Sequence, residues 1–430
     1  MRAPRILIFL LLTLLGRPLP AQSTDAAVRL EPIAEASQLT AVVEPLSLEV
    51  FIDVALVYSG ASGRSLVTAR ETIRSHIEAL NRNLAAEADP RQTAEAALEY
   101  MHEHLLSRYD ERQTEVHTLL RQGNYNCVSS GVLYAILVKS LGLRVWGVRT
   151  SDHAFCRVQA GLEAVDVETT SAFGFDPGKR QEFTDEFGQV TGFTYVPPSN
   201  YADRRDIGER ELLGLILYNR TAFASERRQY AAAVPPAVDA YAVLGDEESY
   251  ERLITSVSNL ASWYGMSGRF EDAVAFLDRA GHIYENERLD ALRGDLLHNW
   301  TLSLIQKGGY IEAEQLLDSH RDGRGTVGLG EEEWKDLTVY LYQVRAQAKA
   351  PGDYADAARL IREGLNKVGS DQGLVRSYEV YVHNAVVTLV RDRRYEEAIA
   401  LLDEALIQLP HSAVLSKDRS MVLRRASENP

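Results

Sequence analysis

The carboxy-terminal half of this 430-residue sequence repeats itself, and this repetition constrains the fold more than any other feature. Five times an aromatic residue is followed three positions later by alanine, at spacings of 40, 40, 44 and 41 residues. Apolar residues at helical spacing flank each pair on both sides, which predicts two helices joined by a turn in every repeat. The pairs are Tyr230 and Ala233, Phe270 and Ala273, Tyr310 and Ala313, Tyr354 and Ala357, and Tyr395 and Ala398.

Repeats of this length bury their apolar faces by stacking on one another. Alanine just inside the second helix lets two antiparallel helices approach closely, and the aromatic ring fills the space beside the turn. In these features the repeats resemble the tetratricopeptide family, although each one is longer than the usual unit by roughly six to ten residues. The resemblance covers about residues 208 to 425, and we assign residues 205–425 to an all-α array of about five repeats.

An amide side chain stands eleven residues before each aromatic residue of the array. In the family that the repeats resemble, the first helices line a concave groove, and an amide at this position often faces a bound peptide. The resemblance therefore implies a surface for a protein or peptide partner. The alternative is that these side chains cap or bridge neighbouring helices. The amides are Asn219, Asn259, Asn299, Gln343 and Asn384.

The amino-terminal half contains both cysteines of the chain, and one of them precedes an ordered series of predicted elements. Cys127 begins an apolar run that is typical of a buried helix and ends at Gly142. Strands are then predicted for residues 143–149, 153–159 and 162–168. The order is a cysteine at a helix amino terminus, a histidine at the start of one strand and acidic residues near the end of the next.

This order suits thiol chemistry. The amino terminus of a helix stabilises a thiolate, and a neighbouring imidazole accepts the proton of the thiol. A carboxylate then orients the imidazole. Asp166 and Glu168 alternate onto one face of their predicted strand, so either could reach His153. By position we prefer Asp166 and keep Glu168 as the alternative.

The residues around this order resemble the transglutaminase-like superfamily, which has a papain-like fold. The matching stretches are Asn126-Cys-Val-Ser-Ser, Asp152-His-Ala-Phe and Val165-Asp-Val-Glu-Thr-Thr, and the similarity covers about residues 94 to 176. The resemblance implies an α+β papain-like domain, which we place at residues 46–204, ahead of the helical repeats.

The resemblance also implies a catalytic triad in the order Cys, His, Asp. Cys127 would be the nucleophile, His153 the base and Asp166 the acid that orients the base. The family often ends this stretch with Asp-Pro-Thr, whereas this chain has Asp-Val-Glu-Thr-Thr. The acid is therefore ambiguous between Asp166 and Glu168.

Other roles for the residues near Cys127 are open at this stage. The oxyanion donors are predicted to be the backbone N–H of Cys127 with Asn124 or Asn126. Cys127 could instead be an inert core residue, or form a disulfide with Cys156 in an exported protein. Strand alternation opposes the disulfide, because His153 and Cys156 are three residues apart and face opposite sides.

The first residues of the chain are typical of a secretory signal. Arg2 and Arg5 precede an apolar run at residues 6–15, and small residues follow, which predicts removal of residues 1–21. A membrane anchor is the alternative, but ten apolar residues extend only about 15 Å as a helix, against a hydrocarbon core of about 30 Å. We expect a periplasmic or secreted protein, without a membrane span once the signal is removed, that begins with a weakly structured leader at residues 22–45.

Charge and motifs exclude several function classes. The chain has 46 basic and 61 acidic residues, a formal charge of −15, which becomes −18 when the three arginines of residues 1–21 are removed. Such a charge opposes binding to nucleic acid. Neither a phosphate-loop motif nor His-Glu-x-x-His is present, and two cysteines cannot form a four-thiolate zinc site. We expect no metal, no nucleotide cofactor and no nucleic-acid partner.

Two hypotheses follow from these observations. The first is an exported cysteine-dependent enzyme, an acyltransferase or a peptide hydrolase, whose repeats bind the substrate or a partner. The residues do not distinguish water from an amine as the acyl acceptor. The second is a non-catalytic envelope scaffold whose repeats recruit a protein. Cys127 beside His153 in an open cleft would favour the enzyme, and a buried Cys127 would favour the scaffold.

Overall fold

The computed structural model divides the chain into two compact units, Met1–Ser256 and Val257–Pro430. The predicted signal segment, residues 1–21, lies outside the described residues. So does the stretch that precedes the predicted repeat array, residues 178–203. The structure describes residues 28–39, 41–84, 88–150, 153–177, 204–321, 329–350 and 352–428.

The first unit is mainly helical. One helix begins after Asp89, whose carboxylate accepts the N–H of Gln92, and proline occupies the first helical position. The helices of this unit are α1 (Ala34–Leu39), α2 (Leu48–Tyr58), α3 (Gly63–Asn83), α4 (Pro90–His104), α5 (Val116–Gln122), α6 (Cys127–Ser140), α7 (Glu209–Glu226) and α8 (Tyr230–Leu244).

Two small sheets accompany these helices. The larger is antiparallel with the order β5-β4-β3-β6, and the smaller pairs β1 with β2 in parallel. The prediction of one helix followed by three strands is confirmed for α6, β3, β4 and β5. The strands β1, β2 and β6 are too short for a period-two pattern, so the sequence did not indicate them. The strands are β1 (Arg108–Tyr109), β2 (Asn124–Tyr125), β3 (Val145–Arg149), β4 (Ala154–Ala160), β5 (Glu163–Val167) and β6 (Arg205–Ile207).

Helix α6 lies at the centre of the first unit. It contacts β3 and β4 on one side and α2, α4 and α7 on others. Val132, Ile136 and Leu137 are completely buried, and the helix is apolar around its whole circumference. A helix buried on all sides is a rigid support, and it carries Cys127 as its first residue.

The segment that precedes α2 is packed rather than weakly structured over its described part. Arg29 pairs with the buried Asp239 through bonds of 2.6 and 2.8 Å, and Asp239 also accepts the N–H of Ile33 at 3.0 Å. Leu39, at the end of α1, is only 2% exposed. The segment is ordered because the buried carboxylate of Asp239 requires a cation and a hydrogen-bond donor.

The first predicted repeat, α7 with α8, belongs to the first unit. Leu213, Ile216 and Leu217 are completely buried in the same core as α2 and α6. Five of the six residues from Leu212 to Leu217 are apolar and the sixth is Gly214, so α7 requires cover on more than one side. The unit boundary accordingly falls after Ser256, within the next helix, rather than near residue 205.

The second unit continues as helix pairs. Each predicted aromatic residue begins the second helix of its pair, and the alanine that follows is completely buried in all five repeats, including the first. The predicted helix-turn-helix repeat is therefore confirmed. The helices are α9 (Glu247–Met266), which crosses the unit boundary, α10 (Phe270–Gly281), α11 (Glu287–Gln306), α12 (Tyr310–Ser319), α13 (Glu331–Lys349), α14 (Tyr354–Val368), α15 (Gln372–Arg391), α16 (Tyr395–Gln408) and α17 (Ala413–Glu428).

Four of the five turns share one backbone geometry. The residue two positions before the aromatic has a positive φ of 57° at Arg228, 74° at Gly268, 78° at Gly308 and 61° at Arg393. The next N–H donates to the carbonyl five residues earlier, as in the bond from Arg394 to Leu389. This left-handed ending terminates the first helix and reverses the chain into the second. Glycine occupies only two of the four positions.

The described helices were compared with the length and apolar character that a bilayer span requires. None of them is both long enough and apolar enough to cross a bilayer. The apolar run at residues 6–15 lies outside the described residues.

Candidate active site

Cys127 is held at the start of α6 by a capping box. The side-chain oxygen of Asn126 accepts the N–H groups of Val128 and Ser129 at 3.1 and 3.0 Å, and the Ser129 hydroxyl accepts the N–H of Asn126 at 2.9 Å. The amide nitrogen of Asn126 donates to the carbonyl of Glu111 at 2.9 Å. The cap fixes the half-buried thiol at the positive end of the helix.

These contacts correct the prediction that Asn126 is an oxyanion donor, because its amide is committed to the cap and to Glu111. The other predicted amide, Asn124, pairs with Arg108 in the small sheet and does not line the cleft described below. The cap uses the N–H groups of the second and third helical residues, not that of Cys127. The backbone N–H of Cys127 is thus the donor that the start of the helix offers.

His153 lies just before β4, between the thiol and a buried carboxylate. Its Nε2 donates to Oε2 of Glu168 at 2.6 Å, and the side chain of Glu168 is only 4% exposed. The other oxygen of Glu168 accepts the hydroxyl of Thr170 at 2.7 Å and its N–H at 3.3 Å. Both carboxylate oxygens are therefore engaged, and the ring of His153 is held in one orientation.

The imidazole of His153 borders the same cleft as the thiol of Cys127, and the two groups interact electrostatically. Burial of His153 by itself lowers the pKa of the ring. The interactions with Glu168 and Cys127 raise the pKa by more than burial lowers it. The resulting pKa is well above the ordinary histidine value. Glu168 thus favours a protonated imidazole in the cleft that Cys127 borders.

Our preference for Asp166 as the acid was wrong, since the alternative Glu168 contacts His153. Asp166 accepts two bonds from Arg204 at 2.8 and 2.9 Å and lies opposite Arg157 in the sheet. Strand β5 ends at Val167, so Glu168 leaves the strand and alternation no longer decides where it points.

A sequence signal for the correct acid was present. Glu168 stands two residues before Thr170, which is the acid-x-Thr spacing of the Asp-Pro-Thr ending, and Thr170 is the residue that holds the carboxylate. Asp166 lacks a threonine at that spacing. Asp152, which contributed to the resemblance, lies outside the described residues.

Sequence reasoning missed the residues that position the turn after Glu168. Nε2 of His102 bonds the carbonyl of Thr169 at 3.1 Å, and the hydroxyl of Ser130 bonds that of Thr169 at 2.8 Å. The hydroxyl of Tyr125 donates to the carbonyl of Thr170 at 3.2 Å. Burial lowers the pKa of His102 to about 4, so its ring is neutral near pH 7 and donates from Nε2.

Cys127 and His153 border an open cleft of about 140 Å³ within the first unit. The opposite wall is one face of α7, with four residues at positions i, i+3, i+4 and i+7. Arg149 of β3 and Arg252 of α9 complete the lining near this face. The four residues of α7 are Leu215, Tyr218, Asn219 and Ala222.

Cys156 does not share this environment. It is completely buried in β4, its sulfur donates to the carbonyl of Gly131 at 3.3 Å, and burial raises the pKa of its thiol. Both cysteines are free thiols, so the alternative of a Cys127–Cys156 disulfide does not hold in this structure. Cys127 is the thiol that reagents can reach.

The predicted row of amides is divided between the two units. Asn219 lies in the cleft, and its amide nitrogen donates to the hydroxyl of Thr114 at 3.2 Å. The remaining four are half-buried on the first helices of their pairs in the second unit. They are Asn259, Asn299, Gln343 and Asn384.

Comparison with known proteins found no matching family model, no matching curated protein and no matching solved structure. The chemistry of this site therefore follows from its own geometry.

Proposed function

We propose that the protein is a cysteine-dependent enzyme that acts on amide or peptide bonds through a thioester at Cys127. The observation that carries the proposal is that His153, bonded to the buried Glu168, borders one open cleft together with Cys127. A buried, structural cysteine would not require an imidazole of raised pKa. The arrangement is the one expected from the resemblance to the transglutaminase-like superfamily, with Glu168 as the acid.

The first half of the proposed reaction forms the thioester. The thiolate of Cys127 attacks the carbonyl carbon, and the N–H of Cys127 donates to the oxygen that gains negative charge. When the carbon–nitrogen bond breaks, protonated His153 transfers its proton to the departing amine. A carbon–sulfur bond replaces a carbon–nitrogen bond, and the neutral imidazole is left with its Nε2 on Glu168.

The second half releases the acyl group. Neutral His153 removes a proton from the acceptor, which attacks the thioester carbon while the carbon–sulfur bond breaks. With water as the acceptor the product is a carboxylic acid, and with an amine it is a new amide. In both cases the proton returns to His153 and the thiolate is restored, so the cycle needs no cofactor.

We further propose that the protein acts in the periplasm or outside the cell and that its repeats bind a protein or peptide. The signal-like pattern of residues 1–21 supports export. The stack of helix pairs, with one half-buried amide on each first helix, supports a tetratricopeptide-like array. The substrate would then be a protein or peptide brought to Cys127.

Acylation by a generic ester tests the proposal directly. We would mix the full chain with p-nitrophenyl acetate, follow the burst of nitrophenol, and measure the intact mass after quenching in acid. The expected result is one acetyl group per chain, released by hydroxylamine and located on Cys127. The Cys127→Ser variant should lose the burst, and His153→Gln should slow it at least about tenfold.

A different outcome would favour the scaffold hypothesis. If Cys127 in the folded chain forms no acetyl-enzyme and reacts with iodoacetamide no faster than a free thiol between about pH 6 and 9, the catalytic proposal fails. The site would then be a non-catalytic platform, and the repeats would carry the function by recruiting a partner.

A further inference from the structure

Two arginines stack on one tyrosine in the wall of the cleft. The guanidinium carbons of Arg149 and Arg252 lie 5.5 and 4.7 Å from the centre of the Tyr218 ring. Tyr218 is only 5% exposed, so packing holds the ring in place beside both cations. A guanidinium over an aromatic ring is attracted to the ring face, which restricts where its N–H groups can lie.

Two glutamates pair with these two arginines. Arg149 and Arg252 share one oxygen of Glu248, at 2.8 and 2.9 Å. Arg149 also contacts Glu211, which is paired in turn with Arg205. Among the described residues, this connected set has three arginines and two glutamates. Beside this set, the carboxylate of Asp246 accepts the hydroxyl of Tyr218 at 3.5 Å.

The same arginines line the cleft that contains the thiol. Cys127, His153, Arg149, Tyr218 and Arg252 all border one cavity of the first unit. The side chain of Arg252 is 42% exposed and that of Arg149 is 15% exposed, so Arg252 is the more accessible. A substrate whose acyl carbon lies against Cys127 in so small a cleft also lies against this cationic wall.

We propose that Arg149 and Arg252, supported by Tyr218, bind a carboxylate of the substrate. The proposal rests on the proposed function, because the substrate must place its acyl carbon at Cys127. It names the substrate class, an amide or peptide with a carboxylate near the bond that Cys127 attacks. Two guanidinium groups side by side offer paired N–H donors, which suit the two oxygens of a carboxylate better than a neutral amide.

Paired thiol reagents test this without a known substrate. N-ethylmaleimide and 3-maleimidopropionic acid are alike except for one carboxylate, and iodoacetamide and iodoacetate form a shorter pair. For each pair we would measure the alkylation rates of Cys127 in the full chain and of 2-mercaptoethanol. For each thiol, the alkylation rate with the charged reagent is divided by the rate with the neutral reagent. The value for Cys127 divided by the value for 2-mercaptoethanol is the carboxylate preference. Changes in thiol reactivity alone cancel in this ratio.

The expected preference is at least about threefold in favour of the carboxylate reagent for one of the pairs. Arg252→Gln should bring it close to one, and Arg252→Lys should retain part of it because the charge remains. Arg144→Gln is the matched control, since Arg144 also stacks on an aromatic ring, that of Trp146, but does not line the cleft. It should leave the preference unchanged. Circular dichroism would verify that each variant is folded.

Two outcomes would overturn the inference, and only the second would also overturn the proposed function. If Cys127 reacts readily but Arg252→Gln leaves the ratio at the wild-type value, the carboxylate site is wrong and the proposed function stands. If the thiol of the folded chain reacts with no reagent faster than 2-mercaptoethanol does, the proposed function fails and the inference fails with it.

Discussion

Nε2 of His153 lies 2.6 Å from Oε2 of Glu168, and this contact commits one of the two ring nitrogens to the acid. Since the carboxylate occupies Nε2, Nδ1 is the ring nitrogen left to exchange a proton in the proposed reaction. The other carboxylate oxygen is held by Thr170, so the acid cannot rotate away from the ring. A short chain of hydrogen bonds thus runs from a buried turn to the cleft that Cys127 borders.

The first prediction concerns the acid. Glu168→Gln removes the negative charge that stabilises the imidazolium, so the pKa of His153 should fall and less thiolate should be present near pH 7. We expect alkylation of Cys127 by iodoacetamide to slow at least about tenfold at that pH. The rise of the rate with pH should also move to higher pH. Histidine NMR titration and alkylation rates would measure the two effects.

Asp166→Asn is the matched control for this prediction, because Asp166 pairs with Arg204 and not with His153. Its alkylation rate should stay within about twofold of the wild-type rate, because Asp166 does not contribute to the pKa shift of His153. Slower alkylation in Asp166→Asn than in Glu168→Gln would restore our original assignment of the acid.

The sequence predicted the order of these elements better than it predicted the side-chain contacts. The helix at Cys127 and the three following strands have periodic patterns, and the structure places them within two residues of the predicted limits. The contact of Glu168 with His153 depends on where β5 ends, and strand ends carry no periodic signal. The role of Asn126 was likewise hidden, because an amide before a helix suits both a cap and an oxyanion donor.

The repeat array illustrates the same limit at a larger scale. The spacing of aromatic and alanine residues predicted every helix pair, because each pair is a local structure. It did not predict that the first pair belongs to the core of the α+β unit and places Asn219 in the cleft. That arrangement depends on contacts between segments far apart in sequence, for which the repeat has no pattern.

The second prediction separates the two roles of Asn126. Asn126→Ser keeps a side-chain oxygen that can cap α6 but removes the amide donor. Because the amide is bonded to Glu111, we expect acylation by p-nitrophenyl acetate to stay within about threefold of wild type. Asn126→Ala lacks the cap and should cost about 1 kcal/mol of unfolding free energy in urea. A loss of acylation of about a hundredfold in a stable Asn126→Ser protein would instead identify the amide as the oxyanion donor.

The third prediction concerns His102 and pH. Its pKa is about 4 in the folded chain, against about 6.5 when unfolded. Between these values the unfolded chain binds a proton that the folded chain does not, so stability is complete above about pH 6.5 and falls towards pH 4. His102 should account for a loss on the order of 3 kcal/mol across this interval.

The variant His102→Gln tests this assignment. Glutamine cannot titrate but can still donate to the carbonyl of Thr169. Urea unfolding of the first unit at several pH values should therefore show a flatter pH dependence than in the wild type. Identical pH profiles for the two proteins would contradict the role that we give to His102.

The last prediction concerns the turns of the repeats. Arg393 adopts a φ of 61°, in the left-handed region where a side chain collides with its own backbone and glycine does not. Arg393→Gly removes this strain but also makes the unfolded chain more flexible, so the net gain should be modest, about 0.5 kcal/mol. Arg376→Gly, on an exposed face of α15, should instead destabilise the chain by about 0.7 kcal/mol, because glycine is a poor helix former. Urea unfolding of the two variants gives the comparison. If both variants change the free energy of unfolding in the same direction, the left-handed conformation of Arg393 imposes no strain on the turn.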